Sequence, residues 1–274
     1  MEFLNNGIYL KVFGFPVTLK CNLRCKLCGA HSPYYEIPYH PSFQNLCLQL
    51  EKLFGFVSYI DKFDIGGGEP LIRNDLHSIM AQLRKCYRSQ IGKLRLITNG
   101  TITISQDKNN RYGNAFIEEA QKWGEDFYCI IDKYAVKSDK SKNISYIFGK
   151  AGIPHEIRDY TDHLHCGGWV DFGDFSYKHD DTAAEQLFKK CSVPRQGFFT
   201  SIVDGKVFPC GRARILYEKG QGHDYIDLME EESTIDVKRK NFLKMVNGAF
   251  LNTCKFCNGM CDDSERFFPA EQML

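Results

Sequence analysis

Between residues 9 and 160, short runs rich in β-branched and aromatic residues alternate with amphipathic stretches of helical period. That is the sequence form of repeated βα units built around parallel strands. Five strands are predicted, over residues 10–19, 57–65, 94–98, 127–131 and 156–160. Phe43, Leu46, Leu50, Leu53 and Phe54 recur at helical spacing behind Ser42 as a cap, and Leu76, Ile79, Met80, Leu83 and Tyr87 do so behind Asn74. A third helix carries Phe116, Ala120 and Trp123 and stops at Gly124; a fourth carries Ile144, Ile147, Phe148 and Ala151 and ends at Gly152, with Pro154 beyond. Further along, residues 198–203 and 206–208 read as a hairpin turning at Asp204-Gly205.

The candidate chemistry falls on one rim of this scaffold. In parallel barrels the active site is built from loops at the carboxyl ends of the strands. Cys21-Asn22-Leu23-Arg24-Cys25-Lys26-Leu27-Cys28 follows the first strand, Gly66-Gly67-Gly68-Glu69-Pro70 the second, and Asn99-Gly100 the third. Three thiolates leave one iron of a four-iron cluster without a protein ligand, and that vacancy is where chemistry can happen. The same three residues also read as buried thiols or as part of a zinc site completed from elsewhere, although zinc knuckles favour paired C-x2-C units. Taken alone, the glycine run and Asn99-Gly100 also read as ordinary turns.

The triplet, the Gly-Gly-Glu-Pro loop and Asn99 together resemble the radical S-adenosylmethionine (SAM) superfamily. The resemblance implies a partial parallel (β/α) barrel of five or six strands, in fold class α/β. It implies a 4Fe–4S cluster on Cys21, Cys25 and Cys28, with SAM chelating the open iron. Gly67, Gly68 and Glu69 would meet the methionine amino group, Asn99 the ribose, and Leu27 the adenine, where relatives often carry an aromatic residue. One-electron cleavage of SAM would then give a 5′-deoxyadenosyl radical that abstracts hydrogen from a substrate. Cys191, Cys210, Cys254 and Cys257, grouped around the hairpin, resemble the "twitch" domain, a short relative of the SPASM domain that carries one auxiliary 4Fe–4S cluster; a zinc site on the same thiolates is the alternative. Cys261 is left over. It reads as a substitute ligand, as inert, or as a hydrogen donor to a substrate radical, with Cys166 as its rival in that role. The domain reading is a barrel over 1–160, a connecting loop and helix over 161–190, and an auxiliary-cluster domain over 191–274.

Bulk properties narrow the remaining choices. The 274 residues are 43% hydrophobic and 25% charged with a net charge of +1, an ordinary globular balance without the basic surplus of a nucleic-acid binder. Short basic runs such as Lys238-Arg239-Lys240 read as a solvated helix face. No apolar run is long enough to span a membrane and no leader is visible, so a cytoplasmic location without membrane partners is expected, where twelve cysteines make better metal ligands than disulfides. Cys47, Cys86, Cys129 and His155 read as packing residues. Arg212 and Arg214 could meet an anionic substrate group, with a solvent-facing position preferred. The aperiodic segment from Tyr160 to Asp181 reads either as a substrate loop or as a linker.

Only 20 residues precede Cys21, which favours a small molecule over a peptide bound through an added amino-terminal domain. The expected function is oxidation (dehydrogenation) or epimerisation of a carbohydrate-like small molecule, supported by an electron donor such as flavodoxin or ferredoxin. Radical modification of a ribosomally made peptide is the enzymatic alternative. An iron–sulfur electron carrier or a zinc-binding structural protein is the alternative outside enzymology.

Overall fold

One row of side chains fixes the register of the sheet. In the computed structural model, Phe13, Phe63, Leu94 and Phe127 pair in sequence across four adjacent parallel strands, and all are fully buried. The strands are β2 (Gly7–Thr18), β3 (Val57–Gly67), β4 (Ile91–Thr98) and β5 (Phe127–Lys133). One residue later Gly14, Asp64, Arg95 and Tyr128 pair in the same order. Because strand side chains alternate between faces, the first row faces the helices and the second the opposite, concave side.

The structure describes residues 3–4, 7–104, 111–161, 169–197 and 199–273. β6 (His155–Asp159) extends the parallel sheet beyond β5, and β7 (Thr200–Val203) adds a parallel strand on the other side of β2. β8 (Lys206–Phe208) and β9 (Ile226–Asp227) continue it antiparallel, and β1 (Phe3–Leu4) pairs antiparallel with β2. The order runs from β6 to β9 without closing, so the expected partial barrel is an open, mostly parallel sheet. The hairpin at Asp204-Gly205 forms as expected; its two turn residues have φ of 49° and 74°, the left-handed pair that a two-residue turn requires.

α1 (Phe43–Phe56), α2 (Leu76–Tyr87), α3 (Arg111–Trp123) and α4 (Ser141–Lys150) follow the predicted alternation. The Ser42 hydroxyl accepts from Asn45 N at 3.2 Å, as the expected cap. At α2 the cap position is Asp75 and not Asn74, and the Asp75 carboxylate is turned to Arg73 at 2.8 and 2.6 Å. α5 (Asp181–Lys190), α6 (Ser192–Arg195) and α7 (Gly211–Glu218) lie around the hairpin, and α8 (Ile235–Val246) packs Phe242 against Phe56. Lys238 is buried and Arg239 donates to Phe56 O and Gly55 O, so this run clamps α8 to α1 where a solvated face was expected. Cys129 is buried in β5, but Cys86 is exposed on α2. Among the described residues no helix is long and apolar enough to cross a membrane.

Pairing of β2 with β3 continues beyond the strands. Gly68 N donates to Thr18 O at 2.8 Å and Glu69 N to Lys20 O at 2.9 Å. A Cβ on Gly67 would lie 2.2 Å from Thr18 O and one on Gly68 2.1 Å from Lys20 O, so both glycines serve this approach of backbone to backbone. The Glu69 carboxylate is fully buried and accepts from Leu71 N at 3.0 Å, Thr98 Oγ1 at 2.8 Å and Asn99 N at 2.7 Å. It therefore joins the end of β3 to the end of β4.

Burial, opposed by these donors, pushes the Glu69 carboxyl up to about 7. The folded protein then binds a proton here more tightly than the unfolded chain, so this group's contribution is full below its ordinary value near 4.5 and is lost as pH rises through about 7. Glu69→Gln sets an amide donor against a backbone or hydroxyl donor and should cost about 1–3 kcal/mol. Urea unfolding of the metal-free protein should show wild type losing stability between pH 4.5 and 7 relative to Glu69→Gln; parallel pH profiles would contradict this account.

Candidate active site

The loop after β2 folds back so that its three cysteines face the concave side of the sheet. Leu23 and Cys25 are buried together with Tyr134, Tyr160 and Ala270, which anchors the middle of the loop. Cys21 Sγ accepts from Leu23 N at 3.5 Å and lies 3.6 Å from Asn99 Nδ2. Cys25 Sγ accepts from Gln272 Nε2 at 3.3 Å. Burial pushes the Cys21 thiol up to about 11 and the Cys25 thiol up to about 12, so both hold their protons at neutral pH until a metal displaces them.

All three line a cavity of about 600 Å³, together with Gly66, Gly67 and Gly68. Nothing lies within 4 Å of where a Gly66 Cβ would stand, so that edge of the loop is open. Asn99 also lines the cavity, with its side chain tied to Asn22 Oδ1 at 3.0 Å and to Thr101 N at 3.1 Å. Two residues expected to meet the cofactor are not on this wall. Glu69 is absent from the cavity wall because its carboxylate is enclosed by the three donors described above. Leu27 lines a neighbouring cleft of about 420 Å³ on the far side of Cys28.

The second cysteine group reaches the same cavity. Cys191 joins α5 to α6, and Cys210 precedes α7. Cys254 lies in the short helical turn Asn252–Phe256, with Cys257 just after it. The Asp224 carboxylate holds that turn, accepting from Asn252 N at 3.2 Å and from Thr253 N and Oγ1 at 2.6 Å each. All four thiols line the cavity. Burial pushes Cys257 up to about 12 and raises Cys210 and Cys254 as well, and the neighbouring thiols add to each shift.

Among the described residues no three Cys, His, Asp or Glu side chains converge on one point as ligands of a single ion would. The thiols instead bound a space, which suits a multi-iron cluster better than one zinc ion about 2.3 Å from each sulfur. The donor set of Cys21, Cys25 and Cys28 beside an open glycine edge fits one such cluster, and the four further thiols line the same cavity.

Cys261 stands just behind this space, close enough to Cys191 to feel its charge. It is buried but absent from the wall, its backbone N donating to Ser264 Oγ at 2.9 Å, whereas Gly259 and Met260 line the cavity. Cys166 lies outside the described residues. Arg212 and Arg214 turn inward, contrary to the solvent-facing expectation. Arg214 is buried and bonds Ala30 O at 2.8 Å and Glu218 at 2.9 Å; Arg212 donates to Gly29 O and lies 3.9 Å above the Phe172 ring. The Arg212 guanidinium is close enough to Cys28, Cys210 and Cys257 to feel all three electrostatically.

Sequence reasoning missed the charges on the concave floor. Asp64 chelates Arg95 at 2.6 and 2.7 Å, and Asp132 chelates Arg158 at 2.6 and 2.8 Å, with both carboxylates on the cavity wall. Strand alternation alone could have flagged them, since each is a charged residue at an inward position of a strand.

Comparison with known proteins agrees with this arrangement. Residues 15–115 match the Radical SAM superfamily. Over 108 residues the chain is 34% identical to GTP 3′,8-cyclase of Campylobacter lari, covering 38% of this chain and 30% of that protein. It is 41% identical over 97 residues to GTP 3′,8-cyclase of Campylobacter jejuni subsp. doylei, covering 34% and 27% respectively. The chain thus matches less than a third of the length of these relatives. Among solved structures, BtrN in complex with AdoMet and 2-DOIA superposes with a TM-score of 0.58 at 17% identity, over 97% of this chain and 98% of that one. anSMEcpe with bound AdoMet gives 0.52 at 14% identity, over 95% and 92%. Residues 15–115, which carry the three-cysteine loop and the glycine loop, are thus a radical SAM domain, and the whole chain shares the fold of these two solved structures.

Proposed function

We propose that the protein oxidises a carbohydrate-like small molecule by radical SAM dehydrogenation, with a second 4Fe–4S cluster on Cys191, Cys210, Cys254 and Cys257. The observation that carries this reading is the single cavity shared by both cysteine groups. In it, Cys21, Cys25 and Cys28 hold the first cluster, the open edge at Gly66 admits the amino-acid end of SAM, and residues 191–274 hold the second cluster. Residues 1–160 act as the radical-generating part and 161–190 as the connection. Bound there, cluster and SAM would supply a 5′-deoxyadenosyl radical that takes one hydrogen atom from a substrate carbon; the second cluster would accept the remaining electron as the substrate radical releases a proton to solvent, which completes the two-electron oxidation.

The chain's own residues shape the rest. Phe15, Phe188, Trp169 and Phe172 give the cavity apolar walls that exclude water, while Asp64 and Asp132 offer acceptors on the floor for hydroxyl or amino groups. Dehydrogenation is preferred to epimerisation because the hydrogen-donor candidate Cys261 is buried and does not line the cavity. The likeness to BtrN, whose structure holds AdoMet and 2-DOIA, runs the length of both chains and supports a small molecule beside SAM. The reading requires an external electron donor of the flavodoxin or ferredoxin kind. The GTP 3′,8-cyclases match about a third of this chain, and GTP enters the substrate panel on that account.

Protein reconstituted anaerobically with iron and sulfide, then given SAM and dithionite, should form 5′-deoxyadenosine, and Cys25→Ala none above background. Should wild type hold its iron and still make none with any sugar, aminocyclitol or GTP in the panel, the reading fails. Iron per chain should fall from about eight to about four in Cys254→Ala/Cys257→Ala. Cys261→Ala should keep substrate oxidation. If that variant lost turnover while still cleaving SAM, epimerisation with Cys261 as hydrogen donor would replace dehydrogenation.

A further inference from the structure

Residues 267–273 return across the barrel rim and lie on the Cys21–Cys28 loop. Phe267 and Trp169 exchange both backbone hydrogen bonds, at 2.9 and 2.8 Å. Lys26 N donates to Glu271 O at 2.8 Å and Met273 N to Arg24 O at 2.7 Å, so Gln272 pairs directly with Cys25. Ala270, buried against Leu23, Cys25, Tyr134 and Tyr160, turns the segment at φ 59°, a conformation a non-glycine residue keeps only when its surroundings impose it.

The Gln272 amide is fixed at both ends. Its Oε1 accepts from Arg24 N at 2.8 Å, and its Nε2 donates to Ala270 O at 2.7 Å and to Cys25 Sγ at 3.3 Å. A flipped amide would set NH2 against the Arg24 N–H and oxygen against the Ala270 carbonyl, so the N–H must point at the sulfur. The contacts to Cys21 Sγ are longer, at 3.5 and 3.6 Å.

We propose that Gln272 is a positioning residue for the first cluster, its amide N–H setting that cluster's reduction potential through the Cys25 sulfur. The inference rests on the reading of Cys21, Cys25 and Cys28 as cluster ligands. A donor at a cluster sulfur favours the reduced, more negative state and so raises the potential. Because the donor is 247 residues from its acceptor, the potential is set only when the distant segment is docked.

The test is an EPR-monitored redox titration of the anaerobic protein carrying both clusters, following the signal that SAM perturbs. Gln272→Met keeps length and removes the donor. It should shift the first cluster to more negative potential, by roughly tenfold in the reduction equilibrium or about 59 mV for one electron, and leave the second cluster in place. An unchanged potential at full iron content overturns the inference. If Gln272→Met does not fold, pulsed EPR of the wild-type protein decides. An exchangeable proton coupled to the SAM-perturbed cluster, with a matching coupling from 15N-labelled glutamine, supports the inference; absence of the glutamine coupling overturns it. A wild-type protein with no SAM-perturbed signal at all sinks the cluster reading itself, and this inference with it.

Discussion

Two backbone hydrogen bonds, from Gly68 to Thr18 and from Glu69 to Lys20, keep the chain zipped at the end of β2 and past the end of β3, and the geometry of the rim follows from them. They bring the chain out at Cys21 directly beside the glycine loop. Each bond contributes only about 1 kcal/mol net, but the arrangement is enforced by what it buries. The Glu69 carboxylate is sealed in and satisfied only while Leu71, Thr98 and Asn99 stay where they are. Asn99, fixed through its backbone by Glu69, in turn reaches Cys21 and Asn22 with its side chain. Three loops from three strands thus become one rigid rim, the condition for presenting thiols and a cofactor in fixed relation.

The second cysteine group is brought to that rim by two devices. Strand β7 pairs with β2, Phe13 with Thr200 and Gly14 with Ser201, so the hairpin leading to Cys210 grows from the barrel sheet itself. A Cβ on Gly14 would lie 2.8 Å from the Phe199 ring, and the glycine therefore allows that approach. Helix α7 then docks on the loop after Cys28 through Arg212 to Gly29 and Arg214 to Ala30. The two arginines follow Cys210 by two and four residues, so the cysteine and its clamps travel as one unit.

Much of this was legible from hydrophobic periodicity. The five barrel strands and four helices lie within a few residues of their expected positions, because β2 to β5 each carry an apolar row toward the helices and each helix an apolar stripe toward the sheet. The cysteines and glycines were legible from spacing. Their detailed roles were not. Gly67 and Gly68 look like ligand-binding glycines, yet their missing side chains make room for Thr18 and Lys20. Glu69 is enclosed by three donors and Leu27 lines a neighbouring cleft, which no spacing rule reveals. Gln272 escaped because its partner lies at the other end of the sequence and a lone glutamine carries no motif. Arginine usually faces solvent, and the inward turn of Arg212 and Arg214 is recognisable only once their carbonyl partners are assembled.

Charge bookkeeping on the concave face shows why the site is built for metal. Asp64 and Asp132 are each matched by a chelating arginine, so the floor is close to neutral. Among the described residues Arg212 has no carboxylate partner, and it stands between the two cysteine groups. Seven thiolates around one guanidinium would be far from neutral, and burial accordingly keeps the shifted thiols protonated in the metal-free protein. Iron reverses the balance, because its charge favours the thiolate that burial opposes. The loops themselves are already placed, the first by Leu23 and Cys25 buried with Tyr134, Tyr160 and Ala270 and the Cys254 turn by three bonds to Asp224. Metal binding therefore releases protons from thiols the fold has set in position, and its affinity rises with pH.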